Sequence, residues 1–244
     1  MLVLALDTTT RAGSVALARD GALVEALVGD HLRPHAERLP VDIMRLLQRH
    51  GLTPYDVDAF AVAIGPGSFT GLRIGIAAIQ GLAFATSRPV VGVSALEALA
   101  HAVFHGDPAR RLPRIGVWMD AQRDEVFSAV YKRIEGDGPD HLRTVEEPAV
   151  GDPRGTALRW HALAAGEWFP VAGDGAVRYR KVLEDVAGPG VPVIDPPSLA
   201  PSIAALAEAR ARAGETVAPH AIRPLYVRRP DAELARDRRE RGGR

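Results

Sequence analysis

One glycine-rich stretch most constrains how this chain can fold: Ile64-Gly-Pro-Gly-Ser-Phe-Thr-Gly-Leu-Arg-Ile-Gly75. A continuous apolar run, residues 59–64, leads into it, as in a buried strand. Residues 71–86 contain no proline and few polar side chains, as expected for a helix. Between them, two glycines that allow positive φ flank Pro66, whose φ is fixed. The stretch therefore predicts a strand, a sharply defined turn and a helix.

The turn itself permits two interpretations. Ser68 or Thr70 can cap the helix by accepting a hydrogen bond from a free backbone N–H. The unpaired N–H groups at such a helix start can hold a phosphate, or the turn can serve close packing alone. The stretch matches neither the Walker A loop nor the Gly-x-Gly-x-x-Gly fingerprint. The motif alone leaves both interpretations open.

The predicted helix 71–86 is apolar on nearly every side. One face carries small or aliphatic residues: Gly71, Gly75, Ala78, Leu82 and Ala85. The opposite side carries a narrow polar stripe with apolar flanks: Arg73, Gln80, Ile76, Ala77, Ala83 and Phe84. A surface helix normally has a broad polar face. This helix is therefore either buried on both sides or covered by a partner protein.

A second predicted helix, 34–50, carries a matching feature. Its core face is Leu39, Ile43, Leu46 and Leu47, and a narrower strip on the other side is Val41, Met44 and Gln48. Methionine suits an adaptable contact surface, although single exposed apolar residues are common. With the bare face of the first helix, this strip predicts a partner interface of Val41, Met44, Gln48, Arg73, Ile76, Gln80, Ala83 and Phe84. We expect Ala83→Glu to block assembly without unfolding the chain.

A strand, an aspartate, a polar turn and a strand occur twice in the chain. The first copy runs through Asp7, and the second runs through Asp120 after strand 114–119. Asp7, Thr8 and Thr9 could face a nucleotide phosphate or could simply form the turn, whereas Ala121-Gln-Arg123 lacks hydroxyls and glycines. The repeat predicts two subdomains, 1–107 and 108–227, followed by a charged tail, 228–244, that we expect to be disordered. We expect Asp7→Ala to leave the fold largely intact.

Composition narrows the possible functions. Lys plus Arg and Asp plus Glu are 30 each among 244 residues, so no overall field attracts nucleic acid or an anionic membrane. With no cysteine, disulfides and thiolate metal sites are excluded. His31 and His35 have metal-ligand spacing, but Pro34 places only His35 in the helix. The apolar run Met1–Leu6 is short for a signal peptide, and no stretch is expected to span a bilayer, so we expect a cytoplasmic protein.

Three motifs together resemble one known family. They are the Gly65–Gly75 stretch, Leu4-Ala-Leu-Asp-Thr-Thr9 and Pro224-Leu-Tyr-Val-Arg228. The chain up to about Arg228 looks like the bacterial TsaB (YeaZ) family. The resemblance implies an α/β fold of the actin/Hsp70/sugar-kinase (ASKHA) type, with two similar subdomains. It also implies a non-catalytic partner of TsaD, which makes threonylcarbamoyladenosine beside the anticodon of tRNAs that read codons beginning with A.

The resemblance also sets expectations for partners and cofactors. It implies a heterodimer with a TsaD-like subunit, a TsaE-like ATPase in a larger complex, a homodimer when alone, and only indirect contact with tRNA. The catalytic paralogue carries His-x-x-x-His after its Gly-Pro-Gly helix and the next strand, but Val91–Glu97 contains no histidine. We therefore expect no catalytic residue, no metal and no required cofactor, with weak ATP or ADP binding at Asp7, Thr8 and Thr9. The alternative is an ATP-dependent kinase or ATPase of the same fold, and a metalloprotease fits least.

Overall fold

Two sheets organise the chain in a computed structural model that describes residues 1–106, 112–134, 142–165 and 167–228. The first sheet contains β1 (Leu2–Asp7), β2 (Ser14–Arg19), β3 (Ala22–Val28), β4 (Ala59–Gly65) and β5 (Val90–Ser94). The second contains β6 (Arg114–Asp120), β7 (Val126–Arg133), β8 (Leu142–Gly151), β9 (Val171–Ala172) and β10 (Val193–Ile194). Within these residues the strand orders are β3-β2-β1-β4-β5 and β10-β9-β6-β7-β8.

The two sheets repeat one topology. In the first, β1, β2 and β3 form an antiparallel meander, and β4 and β5 add in parallel beyond β1. In the second, β6, β7 and β8 form the meander, and β9 and β10 add in parallel beyond β6. Asp7 ends β1 and Asp120 ends β6, at equivalent places. The predicted duplication of an α/β unit is confirmed.

Seven α-helices among the described residues complete the layers. They are α1 (His35–Arg49), α2 (Phe69–Thr86), α3 (Ala95–Gly106), α4 (Pro153–Ala164), α5 (Asp174–Arg178), α6 (Arg180–Ala187) and α7 (Ala200–Arg212). The helices α1 and α2 cover the outer face of the first sheet, and α3 and α7 lie between the two sheets. On the far side of the second sheet, α4, α5 and α6 pack around Trp118 and Trp160.

The alternation of side chains along β1 shows how the layers arise. Leu4 and Leu6 point towards α1 and α2, whereas Val3 and Ala5 point towards α7, and all are fully buried. Successive strand residues face opposite sides of a sheet, so a strand covered on both faces is apolar throughout. This explains why the strand appears in the sequence as a continuous apolar run.

The packing of α7 differs from the predicted division of the chain. This helix lies within the predicted second subdomain, 108–227, yet it packs mainly on β1, β2 and β4 of the first sheet. Ser14 ties its start to the first sheet by accepting a hydrogen bond from the N–H of Ala200 at 3.1 Å. The end of the chain therefore returns to the first half. The predicted boundary at 107/108 and the tail from 229 onwards lie outside the described residues.

The helix α2 meets the length and hydropathy of a membrane span, with a mean hydropathy of 1.3 over 18 residues. The expectation that no stretch is long enough was therefore wrong on length. The helix instead packs against the first sheet through Leu72, Ile76, Ile79 and Ala83. Ser68 caps its start, as predicted, by accepting from the N–H of Gly71 at 3.2 Å.

Glycines let α2 lie directly on the turn that follows β1. A Cβ at Gly71 would lie 2.0 Å from the carbonyl oxygen of Thr8, and one at Gly75 would lie 2.2 Å from the Thr8 hydroxyl. The Gly67 position is equally close, at 2.5 Å from the Cβ of Thr9. Backbone-to-backbone contact of this kind leaves no room for a side chain. The three glycines therefore fix how far α2 stands from β1.

We predict opposite effects for alanine at two glycines of α2. Gly71→Ala should destabilise the protein by about 2 kcal/mol or more, because its methyl group would overlap the Thr8 carbonyl. In Gly81→Ala the added methyl group has no neighbour within 4 Å. The higher helix propensity of alanine should therefore stabilise the protein by up to about 1 kcal/mol. Urea denaturation of both variants beside the wild type measures the difference. Equal stability of the two variants would contradict the close-approach argument.

Candidate functional site

The outward face of α2 is a row of small and apolar residues. Arg73, Ala77, Gly81, Phe84 and Ala85 are all exposed along it. Phe84 is 82% exposed, although phenylalanine is among the residues most often buried. Arg73 carries the only charge in the helix. The bare face predicted from the sequence is therefore present and includes the predicted Arg73, Ala77 and Phe84, but Gly81 and Ala85 take the place of Ile76, Gln80 and Ala83.

Two residues of the predicted interface lie in the core. Ala83 is 0% exposed and Ile76 is 6% exposed, and both pack with Ile79 against the first sheet. The outward placement of Ala83 is therefore corrected, and a charge at position 83, which would enter that core, is now expected to unfold the monomer. Gln80 is half-buried and donates its side-chain N–H to the carbonyl of Pro219 at 3.0 Å. It ties α2 to the end of the chain.

The predicted strip on α1 is exposed. Val41 is 53% and Met44 is 38% exposed, and Gln48 is exposed one turn further on. The core face of α1 is as predicted, since Leu39, Ile43, Leu46 and Leu47 are buried. The two helices contact each other on the same face of the first sheet. We call their exposed residues the helix-pair surface: Val41, Met44, Gln48, Arg73, Ala77, Gly81 and Phe84.

A cleft of about 960 Å³ opens between the two halves of the molecule. From the first half it is lined by the turn after β1, the segment before α1 and the start of α2; from the second half, by the turn after β6 and the start of α5. Residues 225–228, the last residues that the structure describes, line a third side of the cleft. Lining residues with polar, charged or aromatic side chains include Thr10, Arg11, His31, Arg33, His35, Phe69, Arg73, Asp120, Asp174, Tyr226 and Arg228.

The Asp7 carboxylate accepts its hydrogen bonds from residues of its own turn. The Asp7 carboxylate is 2% exposed and accepts from the Thr9 N–H at 2.8 Å, the Thr9 hydroxyl at 2.6 Å and the Thr10 hydroxyl at 2.9 Å. Thr8 and Thr9 are buried beneath the start of α2. The predicted nucleotide residues therefore come together. Asp7 and Thr9 bind each other, whereas the buried Thr8 hydroxyl has no hydrogen-bond partner among the described residues.

The equivalent turn after β6 is held by charge. Asp120 accepts from Arg178 at 2.7 Å and from the backbone N–H of Gln122 at 3.0 Å. Gln122, Arg123 and Asp124 all adopt left-handed φ values near 57°, which side chains other than glycine rarely do. Burial raises the pKa of Asp174, which accepts from the N–H of Asp120. Residues 121–124 of this turn contain no hydroxyl and no glycine that could bind a phosphate.

The segment 219–228 joins the two halves across the cleft. The N–H of Leu225 donates to the carbonyl of Ile64 at 2.7 Å, and the ring of Tyr226 lies 5.6 Å from that of Phe69. At its end, Arg228 pairs with Glu125 and donates to the carbonyl of Ala121 at 2.9 Å. Sequence reasoning gave this segment no structural role, because it contains neither a helical nor a strand pattern.

The start of α1 is anchored to the same cleft wall by a buried arginine. Arg38 pairs with Asp42 at 3.1 Å and donates to the carbonyl of Ala12 in the turn after β1. His35 lies 3.1 Å from the carbonyl of Thr10 and 2.7 Å from Arg38. Burial, and then the Arg38 guanidinium, lower the pKa of His35, so this ring is uncharged near neutral pH.

Metal and nucleophile chemistry find little support in the described residues. In the parts of the chain that the structure describes, no three His, Asp or Glu side chains converge as metal ligands would. His101 Nδ1 lies 3.0 Å from the hydroxyl of Ser202, a spacing that a nucleophile–base pair could have. Both side chains are buried between the sheets, so a substrate cannot reach that hydroxyl.

Comparison with known proteins places the chain in a family. A family model described as TsaD, tRNA N6-adenosine threonylcarbamoyltransferase, matches residues 30–167. A curated protein of Escherichia coli K12, named tRNA threonylcarbamoyladenosine biosynthesis protein TsaB, is 39% identical over 70% of this chain and 71% of its own length. The chain belongs to the TsaB (YeaZ) family.

Solved structures agree with this membership. The structure of YeaZ from Pseudomonas aeruginosa is 34% identical, covers 92% of this chain and 99% of its own, and superposes with a TM-score of 0.74. Component A of the (R)-2-hydroxyglutaryl-CoA dehydratase of Acidaminococcus fermentans, at 13% identity, covers 87% and 99% with a TM-score of 0.52. The latter likeness concerns the fold alone, and the predicted ASKHA-type α/β fold is confirmed.

The buried position of Asp7 changes what its removal should do. In this TsaB-family chain, Asp7→Ala would leave the Thr9 N–H and two hydroxyls without their acceptor in a buried turn. We predict a loss of about 3 kcal/mol in the free energy of unfolding, measured by urea denaturation. Asp7→Asn keeps an acceptor oxygen and should lose less. An Asp7→Ala variant as stable as the wild type would show that the turn does not depend on this carboxylate.

His101 should make stability fall in mild acid. Burial, helped by the neighbouring His105, lowers the pKa of His101 from 6.5 to about 3. Below pH 6.5 the His101 side chain is protonated in the unfolded chain but stays neutral in the folded chain. The stability associated with neutral His101 is therefore fully present above pH 6.5 and is lost as the pH falls towards 3. We predict that unfolding takes about 2 kcal/mol less free energy at pH 5 than at pH 7.

Variants identify the responsible histidine. His101→Gln should remove most of that loss between pH 7 and pH 5, whatever its effect on stability at pH 7. His105→Gln, one helical turn away, should retain the loss. Urea titrations at both pH values measure the slopes, and an unchanged slope in His101→Gln would assign the acid sensitivity to other groups.

Proposed function

We propose that this chain acts in threonylcarbamoyladenosine biosynthesis as a non-catalytic subunit that binds and stabilises a TsaD-like enzyme. Its membership of the TsaB family and the names of its relatives support the pathway. The match of residues 30–167 to a TsaD family model supports a shared ancestry with that enzyme. Related chains of one fold often assemble through equivalent elements, so a TsaD-like subunit is the partner that we propose.

The observation that carries the mechanism is the helix-pair surface. Phe84, Val41 and Met44 are exposed on two adjoining helices, with small residues at Ala77 and Gly81 between larger ones. Small residues let another helix approach closely, and exposed aromatic and methionine side chains are typical of interface centres. An apolar patch of this kind favours coverage by another chain. We propose a joint in which helices of both partners pack together.

A related proposal concerns assembly without the partner. The same surface, placed against a second copy about a two-fold axis, would bury Phe84 and Met44 symmetrically. A homodimer would then compete with the heterodimer for the helix-pair surface. A TsaE-like ATPase would join the larger complex elsewhere, since this surface would already be covered.

An ATP-dependent kinase or ATPase remains the second candidate, and the cleft is the observation that favours it. Its volume of about 960 Å³ would accommodate a nucleotide. Against it, the Asp7 carboxylate is buried and saturated, and the turn at Gln122 offers no hydroxyl to a phosphate. The geometry therefore favours a subunit without its own phosphoryl-transfer chemistry. ATP turnover by the purified chain alone would favour this second candidate.

We predict that Ala77→Glu blocks assembly. Ala77 is exposed on α2 between Arg73 and Gly81, so the monomer should fold normally with the same thermal midpoint. In the joint, the carboxylate would be buried without a partner, at a cost of about 3 kcal/mol or more, which is a loss of affinity of at least about 100-fold. Calorimetric titration with the TsaD-like subunit measures the heterodimer, and light scattering of the chain alone measures the homodimer.

The matched control is Ala162→Glu. Ala162 is exposed on α4, which covers the second sheet on the far side of the molecule. This control variant introduces the same glutamate side chain on another helix and should leave the heterodimer and the homodimer at wild-type affinity. If Ala77→Glu binds the TsaD-like subunit as tightly as the control does, the joint lies elsewhere and the proposed mechanism fails.

A further inference from the structure

Three guanidinium groups gather on one wall of the cleft without an acidic partner. Arg11 follows β1, Arg33 precedes α1 and Arg73 lies in the first turns of α2, and all three are exposed. Among the described residues, no carboxylate forms an ion pair with any of them. We call Arg11, Arg33 and Arg73 the cation wall. In a chain whose formal charges sum to zero, this concentration of unneutralised positive charge is local.

The opposite wall carries charges of both signs, most of them paired. Arg178 neutralises Asp120, and Glu125 neutralises Arg228. Asp174 lies beside them with no arginine of its own in the described part of the chain. The unpaired positive charge therefore lies on the wall of the first half, and an anion entering the cleft would be drawn there.

Two exposed aromatic rings stand beside the cation wall. Phe69 is 44% and Tyr226 is 42% exposed, and their rings meet at 5.6 Å with an angle of 34°. The Arg73 guanidinium lies 3.9 Å from the centre of the Phe69 ring. Planar arginine and aromatic groups next to free cations form the surface on which unpaired nucleobases stack while phosphates are bound alongside.

The position of the cations separates a nucleic acid chain from a small nucleotide. Asp7 and Thr8 are buried outside the cleft lining, and the Asp7 carboxylate is already bonded to Thr9 and Thr10. The free guanidinium groups lie instead at the exposed rim, spread over three separate elements. A nucleoside triphosphate is bound by donors that converge at one buried point. A nucleic acid strand, which has a charge on every nucleotide, is bound by donors spaced along an open groove.

We propose that the cation wall, with Phe69 and Tyr226, binds single-stranded RNA, namely the loop region of the tRNA that the proposed complex modifies. Arg11 and Arg33 contact phosphates, and the aromatic pair stacks on a base. His35 adds no charge near neutral pH, because its pKa is lowered by burial. This inference rests on the proposed function and departs from the expectation that tRNA is contacted only through the partner.

The test uses the chain in complex with its TsaD-like subunit. The variant Arg11→Gln/Arg33→Gln spares Arg73, which also belongs to the helix-pair surface. Arg19→Gln/Arg154→Gln is the matched control, since both residues are exposed and lie outside the cleft lining. Fluorescence anisotropy with unmodified tRNA, repeated from 50 to 200 mM salt, gives affinity and its salt dependence, and a second titration uses ATP.

The number of phosphate contacts that each variant loses determines the expected change in salt dependence. The cation-wall variant should keep heterodimer formation but lose about tenfold in tRNA affinity at low salt, and its slope of log affinity against log salt should fall by about 1.4, or about 0.7 for each lost contact. The control should match the wild type. Tyr226→Leu should lose about fivefold or more in tRNA affinity with no change in slope, because stacking involves no ion release.

Other outcomes overturn the inference. Wild-type affinity and slope in the cation-wall variant would show that RNA lies elsewhere. An equal loss in the control would indicate an unspecific field, and a loss confined to ATP would indicate a nucleotide pocket. If the wild-type heterodimer fails to form, the proposed function fails. Filter binding of tRNA to the isolated chain and its variants then decides whether the cleft binds RNA by itself.

Discussion

The close approach of α2 to the turn after β1 is the contact on which the rest of the structure depends. Gly67, Gly71 and Gly75 face Thr8 and Thr9 at distances that no Cβ could occupy. With α2 held this near, Leu72, Ile76, Ile79 and Ala83 reach the first sheet and its other side faces away from the domain. A bulkier residue at any of the three glycines would lift the helix and loosen that core. The glycines of the motif thus act through packing, which was one of the two interpretations that the sequence left open.

The same contact links the two surfaces of functional interest. Where α2 covers this turn, the Asp7 carboxylate bonds to Thr9 and Thr10, and Asp7 and Thr8 are buried away from a phosphate in the cleft. Because α2 begins at the cleft, its first turn carries Phe69 and Arg73 into the cleft rim. Its later turns carry Gly81 and Phe84 outward. One rigid helix therefore contributes to the helix-pair surface and to the cation wall, so a partner bound at the former would lie close to a ligand bound at the latter.

Local patterns in the sequence were enough to predict most of the fold. The first meander, α1, α2 and the repeat around Asp120 each have a hydrophobic period or a turn signal contained within one segment. The strand β8 was missed because it is an edge strand whose residues are mostly half-buried and which includes Glu146, Glu147 and Pro148. Strands β9 and β10 have two residues each, too few to show any period. The return of α7 to the first sheet is a matter of tertiary packing, which a boundary drawn from composition does not capture.

The candidate site was only partly predictable, for reasons that differ between its two surfaces. An apolar helix such as α2 has residues fit for burial on all sides, so Ile76 and Ala83 were assigned outward and Ala77 and Gly81 were left out of the interface. Helix α1 has a clear polar side, and Val41, Met44 and Gln48 were placed correctly on its exposed surface. The cation wall combines Arg11 and Arg33, from two loops, with Tyr226 near the far end of the chain. Nothing in the local sequence marks these residues as neighbours, because they meet only through tertiary packing. The helix α2 packs on Thr8 in the turn after β1, and its Phe69 ring contacts Tyr226 in the segment that follows α7.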